Sequence, residues 1–243
     1  MGRVCVIALM LLLAPQKGWS APPRLVMLDP GHGGTNNGAY GRYIGKHEKT
    51  LTLDLARRVD RYLRQWRPDL RVQLTRTRDR YLTLSQRVRR ANGAGATLFV
   101  SIHFNASETR SQRGHETFFL TREASRQEAG ARHSRRRGSV VGAILSDLRR
   151  SAAHDEAAAL ARRVQRHLTA VRGEASDRGV RQAPFDVLLG LRMPGVLVEV
   201  GFIDHPKESL EIARSEILET LGVALAAAIS EHLPVRRRLA PRS

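Results

Sequence analysis

Four residues of this 243-residue chain stand out by type and by setting. His32 sits in a glycine-crowded turn, LDPGHGG over 28–34; Glu48 opens an amphipathic stretch; His103 ends the apolar run ATLFVSI of 96–102; Glu199 interrupts VLVEV of 196–200. Two neutral imidazoles and one carboxylate are a ligand set used by catalytic zinc, which keeps a fourth position for water. Zinc lowers the pKa of that water toward about 7 and polarises a carbonyl, while a nearby unligated carboxylate can take the proton of the attacking water. Burial in an apolar strand desolvates a carboxylate and raises its pKa toward the range of a general base. The residue types therefore assign His32, Glu48 and His103 to one zinc ion and Glu199 to acid–base work. Each alone has a plainer reading: a loop histidine, a strand-end histidine, a carboxylate paired with an arginine. His47, beside Glu48, reads equally well as merely exposed.

Residues so far apart in sequence meet only if the fold brings strand ends together, as the carboxyl edge of a parallel sheet does. RLVML at 24–28 reads as a buried strand stopped by Pro30, Gly31, Gly33 and Gly34. Leu51, Leu55, Val59 and Tyr62 have helical spacing over 48–63, LRVQLT at 70–75 alternates as a strand, Leu84, Val88 and Ala91 mark a second helix, and 96–102 is a further strand. This alternation predicts a mostly parallel twisted sheet with helices on its faces, in one catalytic domain over 21–234. Beyond it we expect a strand at 116–120, helices at 140–148 and 156–171, and short strands around Val180 and at 185–189. A strand at 195–201 and a final helix over about 207–233 complete the reading.

The ends and the composition bound the setting. Arg3, the apolar run 4–14 and GWSA at 18–21 read as a secretory signal cut after about Ser20, which predicts a secreted protein of the periplasm or cell envelope. The single cysteine, Cys5, lies in that leader, so the mature chain has no thiol and any metal site must use histidines and carboxylates. A net charge of +18 and a basic tail at 235–243 predict attraction to polyanions. No nucleic-acid recognition motif accompanies the charge, so nucleic acid is not expected; anionic envelope polymers or lipid head groups suit an exported protein better. Residues 121–139, rich in charge, Ala and Gly and ending in RRRG, read as an exposed insertion.

Five segments, in order, resemble the motifs of the zinc-dependent N-acetylmuramoyl-L-alanine amidases of the AmiC-like type: LDPGHGG (28–34), HEKTL (47–51), LTRTRD (74–79), SIHFNA (101–106) and LVEVGF (197–202). DRGVRQA (177–183) and FDVL (185–188) are similar to family segments as well, and the likeness runs from about Arg24 to Leu233. The resemblance implies a three-layer α/β/α sandwich. It also implies hydrolysis of the amide joining the lactyl group of N-acetylmuramic acid to the L-alanine of the peptidoglycan stem peptide, as in cell-wall remodelling and septum splitting. It divides the roles as above: the two histidines and the helix-start glutamate on zinc, the strand glutamate in catalysis.

Asp29, Arg76, Arg87, Asn92 and Asn105 belong to the resembling motifs and are expected to support either the ligands or the strands that carry them. Many relatives carry, where this chain has 121–139, a longer regulatory helix whose acidic residue occupies the zinc and whose surface binds an activator. Here two states stay open: Glu123 or Glu128 blocks the metal until an activator docks on the segment, or the short loop leaves the site open. Repulsion of Arg135, Arg136 and Arg137 by a cation favours the open loop. Two other functions compete: a zinc peptidase cutting within the stem peptide, and a non-catalytic envelope protein binding polyanions. The second would be favoured by a missing ligand, and none is missing.

Overall fold

The computed structural model describes residues 24–124 and 140–235. β1 (Leu25–Pro30) is buried at every position because it is flanked by two parallel neighbours, β4 (Arg71–Leu74) and β5 (Leu98–Asn105). β8 (Gly195–Phe202) pairs parallel with β5 on its other side. β6 (His115–Phe119) then runs antiparallel to β8, and β7 (Asp177–Gln182) runs parallel to β6 at the sheet's edge. The order is β4-β1-β5-β8-β6-β7, four strands in one sense and two reversed. A short hairpin of β2 (Tyr40–Gly41) and β3 (Lys46–His47), invisible to periodicity, leads into α1 (Glu48–Trp66).

Alternation along the strands sends side chains to two unequal layers. On one face Val26, Leu28, Val100, Ile102, Val196 and Val198 pack under α1, α3 (Val140–Arg172) and α5 (Ser215–His232). On the other, Leu25, Met27, Phe99 and Leu197 are covered by Ala91 of α2 (Leu84–Gly93) and by Val187, Leu188 and Met193. α2 starts sharply because Thr83 and Gln86 form a reciprocal capping box. The three layers are as expected, but the second is thin and covers mainly the amino-terminal half of the strands. Toward the carboxyl ends of that face His103 and Glu199 keep partial exposure and make its open part.

Three boundaries differ from expectation. Residues 185–189 form consecutive turns, with Leu188 N donating to Phe185 O and Leu189 N to Asp186 O, because Val187 and Leu188 serve as a lid on the sheet and not as a strand within it. Residues 140–172 form one 33-residue helix, since the polar stretch at 149–155 holds no proline or glycine and its residues are tolerant of helix. The last helix is broken into α4 (Glu208–Ile212) and α5 at Arg214, whose backbone is extended. The expected leader, 1–20, and the tail from residue 236 lie outside the described residues.

β6 faces α3 through His115 and Thr117, whose side chains meet Thr169 and Gln165. His115 is 0 % exposed. Its burial, then the Arg172 charge, push its pKa from 6.5 down to about 4, against the pull of Asp177. The unfolded chain thus binds a proton between about pH 6.5 and pH 4 that the folded chain refuses. Stability attributable to His115 is complete above pH 6.5 and falls on acidification through that window, by about 3 kcal/mol in all. His115→Gln should flatten this part of the denaturation profile; an unchanged slope would assign the acid sensitivity elsewhere.

Candidate metal centre

β1 ends at Pro30, and the chain then turns through Gly31, His32, Gly33 and Gly34. His32 itself adopts a left-handed backbone, φ 59°, which costs a side-chain-bearing residue energy and is found where surrounding structure over-determines it. The surroundings do so here. Arg87 donates to Pro30 O at 2.8 Å and to His32 O at 2.6 Å, and Arg76 donates to Pro30 O at 3.0 Å, Gly31 O at 2.7 Å and Lys49 O at 2.9 Å. Two buried guanidiniums thus hold the His32 turn, and Arg76 ties it to the start of α1.

The turn aims His32 at Glu48, the first residue of α1, and β5 brings His103 to the same carboxylate. His32 Nε2 lies 3.0 Å from Glu48 Oε2, and His103 Nδ1 lies 3.0 Å from Oε1. One donor atom from each of the three residues falls within 4.8 Å of the others, a group able to hold a metal ion. Glu48 is 3 % exposed and also accepts from Ala39 N at 3.0 Å and Phe104 N at 3.1 Å. Burial works against its ionisation, but the imidazoles of His103 and His32 outweigh it and hold the carboxyl far below its ordinary range.

Glycine makes the approach possible. A Cβ on Gly31 would stand 2.3 Å from His103 Cε1, and one on Gly38 would stand 2.6 Å from Glu48 Oε2 and 2.7 Å from His32 Cδ2. Asn36, absent from the sequence reading, sets the His32 tautomer. Its Oδ1 accepts from Gly38 N at 3.1 Å, which orients the amide, so His32 Nδ1, 2.9 Å away, must donate to it, which turns Nε2 toward Glu48 and makes it the nitrogen that would meet a metal.

Glu199 stands on β8 in register with His103 of β5, on the open face. It is half-buried, and its Oε2 has no hydrogen-bond partner among the described residues. Desolvation, then the charges of Glu48 and Glu116, raise its pKa well above the usual carboxylate value. Glu116, the register partner of Glu199 on β6, is the second residue that sequence reasoning missed. A glutamate between a histidine and a threonine in HETFF reads as a solvent-facing strand position, whereas this one is 3 % exposed.

The other expected residues divide. Asp29 lies beneath the turn, 0 % exposed, accepting from Arg87 Nη1 at 2.7 Å, Ser101 Oγ at 2.8 Å and Thr75 Oγ1. Asn105 donates to Glu116 Oε1 at 2.8 Å rather than to a ligand. Asn92 is not part of the site: it bonds Gly190 O at 2.7 Å and Arg192 N at 2.9 Å, pinning the lid segment near the amino edge of β8. His47 packs its ring against Tyr40 at 4.9 Å. Glu123 is exposed just after β6, and because β6 is antiparallel its end, Phe119, pairs with Val196 at the start of β8. That places Glu123 toward the sheet edge opposite Glu199, away from the three clustered residues. Glu128 and the arginines at 135–137 lie outside the described residues.

The Asp29–Arg87 pair is fully buried, so removing one partner leaves a charge without water. Arg87→Met should cost about 3–5 kcal/mol in urea unfolding, with most of the loss recovered in Asp29→Asn/Arg87→Met. An equal loss in the double variant would show that the carbonyl contacts, and not the ion pair, carry the effect.

Comparison with known proteins agrees with this geometry. A family model described as N-acetylmuramoyl-L-alanine amidase matches residues 26–231. The chain is 31% identical over 226 residues to N-acetylmuramoyl-L-alanine amidase AmiA of Salmonella typhimurium, covering 87% of this chain and 77% of that protein. Among solved structures it is similar to the catalytic domain of the amidase CwlV from Bacillus (Paenibacillus) polymyxa, with TM-score 0.63, 30% identity, and coverage of 86% of this chain and 97% of that one. It is also similar to the amidase AmiC2 of Nostoc punctiforme, with TM-score 0.68, 28% identity and the same coverage of 86% and 97%. With the matched segment running from β1 into α5 and so spanning the whole sheet, the chain belongs to the N-acetylmuramoyl-L-alanine amidase family.

Proposed function

We propose that this chain hydrolyses the amide between N-acetylmuramic acid and L-alanine in peptidoglycan, at a zinc ion held by His32, Glu48 and His103 and with Glu199 as general base. The observation that carries the reading is the convergence of two imidazole nitrogens on one carboxylate, beside a second carboxylate left without a hydrogen-bond partner. Two histidines and a glutamate, with no thiol in the mature chain, are a donor set suited to a catalytic zinc with an open position. Zinc bound there would polarise the scissile carbonyl and acidify a water.

The rest of the work falls to the chain. Asn36 and the buried arginines hold His32 in one tautomer and one orientation. Glu199, half-buried on the open face, accepts a proton from the attacking water. It returns that proton to the amide nitrogen, so the C–N bond breaks with a carboxylate on the lactyl group and an amine on L-alanine. The thin second layer leaves this half of the sheet free for a polymeric substrate.

The substrate lies outside the cytoplasmic membrane, which fits an exported protein of the periplasm or cell envelope and a signal over 1–20. The +18 charge supports a further attraction to anionic envelope polymers. Digestion of purified sacculi with zinc-supplied and chelated protein, followed by mass spectrometry of the fragments, tests the reaction. Glycan ending in free lactyl carboxylates, together with intact stem peptides beginning at L-alanine, is expected only with metal. Peptides cut internally, with L-alanine still on the glycan, would make the protein a peptidase.

A further inference from the structure

At the carboxyl edge of the sheet, His103, Glu199 and Glu116 form one rank across β5, β8 and β6, each in register with the next. Side chains in register share a face and are spaced by roughly the 4.8 Å between strands. The rank continues onto β7. Arg181 Nε lies 3.1 Å from Glu116 Oε2, and Arg178 Nε lies 3.4 Å from Glu116 Oε1. Glu116 is thus a buried carboxylate that accepts a hydrogen bond from Asn105 and faces two arginines at ion-pair distance.

The two arginines are not equivalent. Arg178 directs its outer nitrogens to Gln112 Oε1 at 2.9 Å and Arg113 O at 3.5 Å, and its guanidinium lies 5.0 Å from the centre of the Phe202 ring. Arg181 has a side chain 52% exposed and makes only the Glu116 contact among the described residues. Its two outer nitrogens are therefore available while its inner nitrogen faces Glu116. Such an end presents a planar pair of N–H donors matched to the two oxygens of a carboxylate. Attraction to Glu116 biases the side chain toward this orientation and so lessens the rotamer freedom it would lose on binding.

Given the reading above that the bond is cut beside Glu199, we propose that Arg181, facing Glu116, binds a free carboxylate of the stem peptide, two to three residues beyond the scissile amide. Two strand spacings separate β8 from β7, about 10 Å, and extended peptide covers roughly 3.3–3.6 Å per residue. The ligand is a peptide carboxylate and not a glycan group, because the lactyl carboxyl of the sugar is itself tied up in the amide being cut. Arg181 is thus a specificity residue, lying on the peptide side of the site.

Synthetic muramoyl peptides that differ only in having free or amidated carboxylates at those positions test this. The unaltered protein should favour the free carboxylates at least tenfold in kcat/KM. Arg181→Gln should raise KM about tenfold on the free-carboxylate substrate, change kcat less than twofold and abolish the preference, and Arg181→Lys should restore part of it. Binding of the released stem peptides by calorimetry, in Glu199→Gln with and without Arg181→Gln, gives the same comparison independently of turnover. Equal losses on both substrates, or no preference in the unaltered protein, overturn the assignment. Failure to cleave either substrate would instead sink the hydrolytic reading, and the calorimetric comparison would still decide the role of Arg181.

Discussion

Glu199→Gln should keep its metal and lose turnover by about two to four orders of magnitude, the span that positioned general acid–base catalysis supplies. The amide has the shape of the carboxylate but cannot accept a proton from water, and it removes a charge that Glu48 and Glu116 both oppose. The variant should therefore fold at least as stably as the parent while being nearly inert. Metal stoichiometry by mass spectrometry, beside turnover on a soluble muramoyl peptide, separates the two properties. Loss of the ion in Glu199→Gln would make Glu199 a ligand and leave the proton transfer without an owner.

The complementary set, His32→Ala, Glu48→Ala and His103→Ala, should lose metal and activity together. Each removes one of three donors, so affinity should fall by more than the roughly 10–100-fold that the loss of an outer supporting partner costs. Glu48→Ala should differ from the histidine variants in one respect. Its carboxylate also accepts from Ala39 N and Phe104 N, so its removal strands two backbone donors and should destabilise the metal-free protein by about 1–3 kcal/mol for each donor left unsatisfied. Any one of the three that retained stoichiometric metal at the parent's affinity would be struck from the site. Asn36→Ala gives the intermediate case, weakening metal binding through the His32 tautomer while leaving all three donors present.

Why some of this was legible in the sequence and some was not follows from how each residue is held. His32 announces itself because only glycines allow its neighbours to pass so close to Glu48 and His103, and Glu199 because a lone carboxylate in an apolar strand demands an explanation. Their convergence was readable too, since parallel strands deliver their ends to one edge. Asn36, Glu116 and Arg181 were not readable. Each is a polar residue in a loop or an alternating strand, where polarity is the ordinary state, and each gains its role from a neighbour across the sheet or turn. Asn92 failed in the opposite direction: membership of a motif-bearing helix suggested the site, while its amide pins the lid at the other edge. The single long α3 was hidden by charged residues that blur periodicity without breaking a helix.

The reversal of β6 also partitions the molecule for evolution and for engineering. The chain leaves β6 at Phe119, whose ring meets His154 of α3 at 5.2 Å and whose register partner on β8 is Val196, three residues before Glu199. Residues 121–124, which follow β6, therefore stand at the pole opposite Glu199. A lineage can lengthen, shorten or replace this segment, and a protein engineer can graft an affinity module into it, without touching the strand ends that carry the chemistry. Recruitment and catalysis are thereby free to diverge at different rates within one small domain.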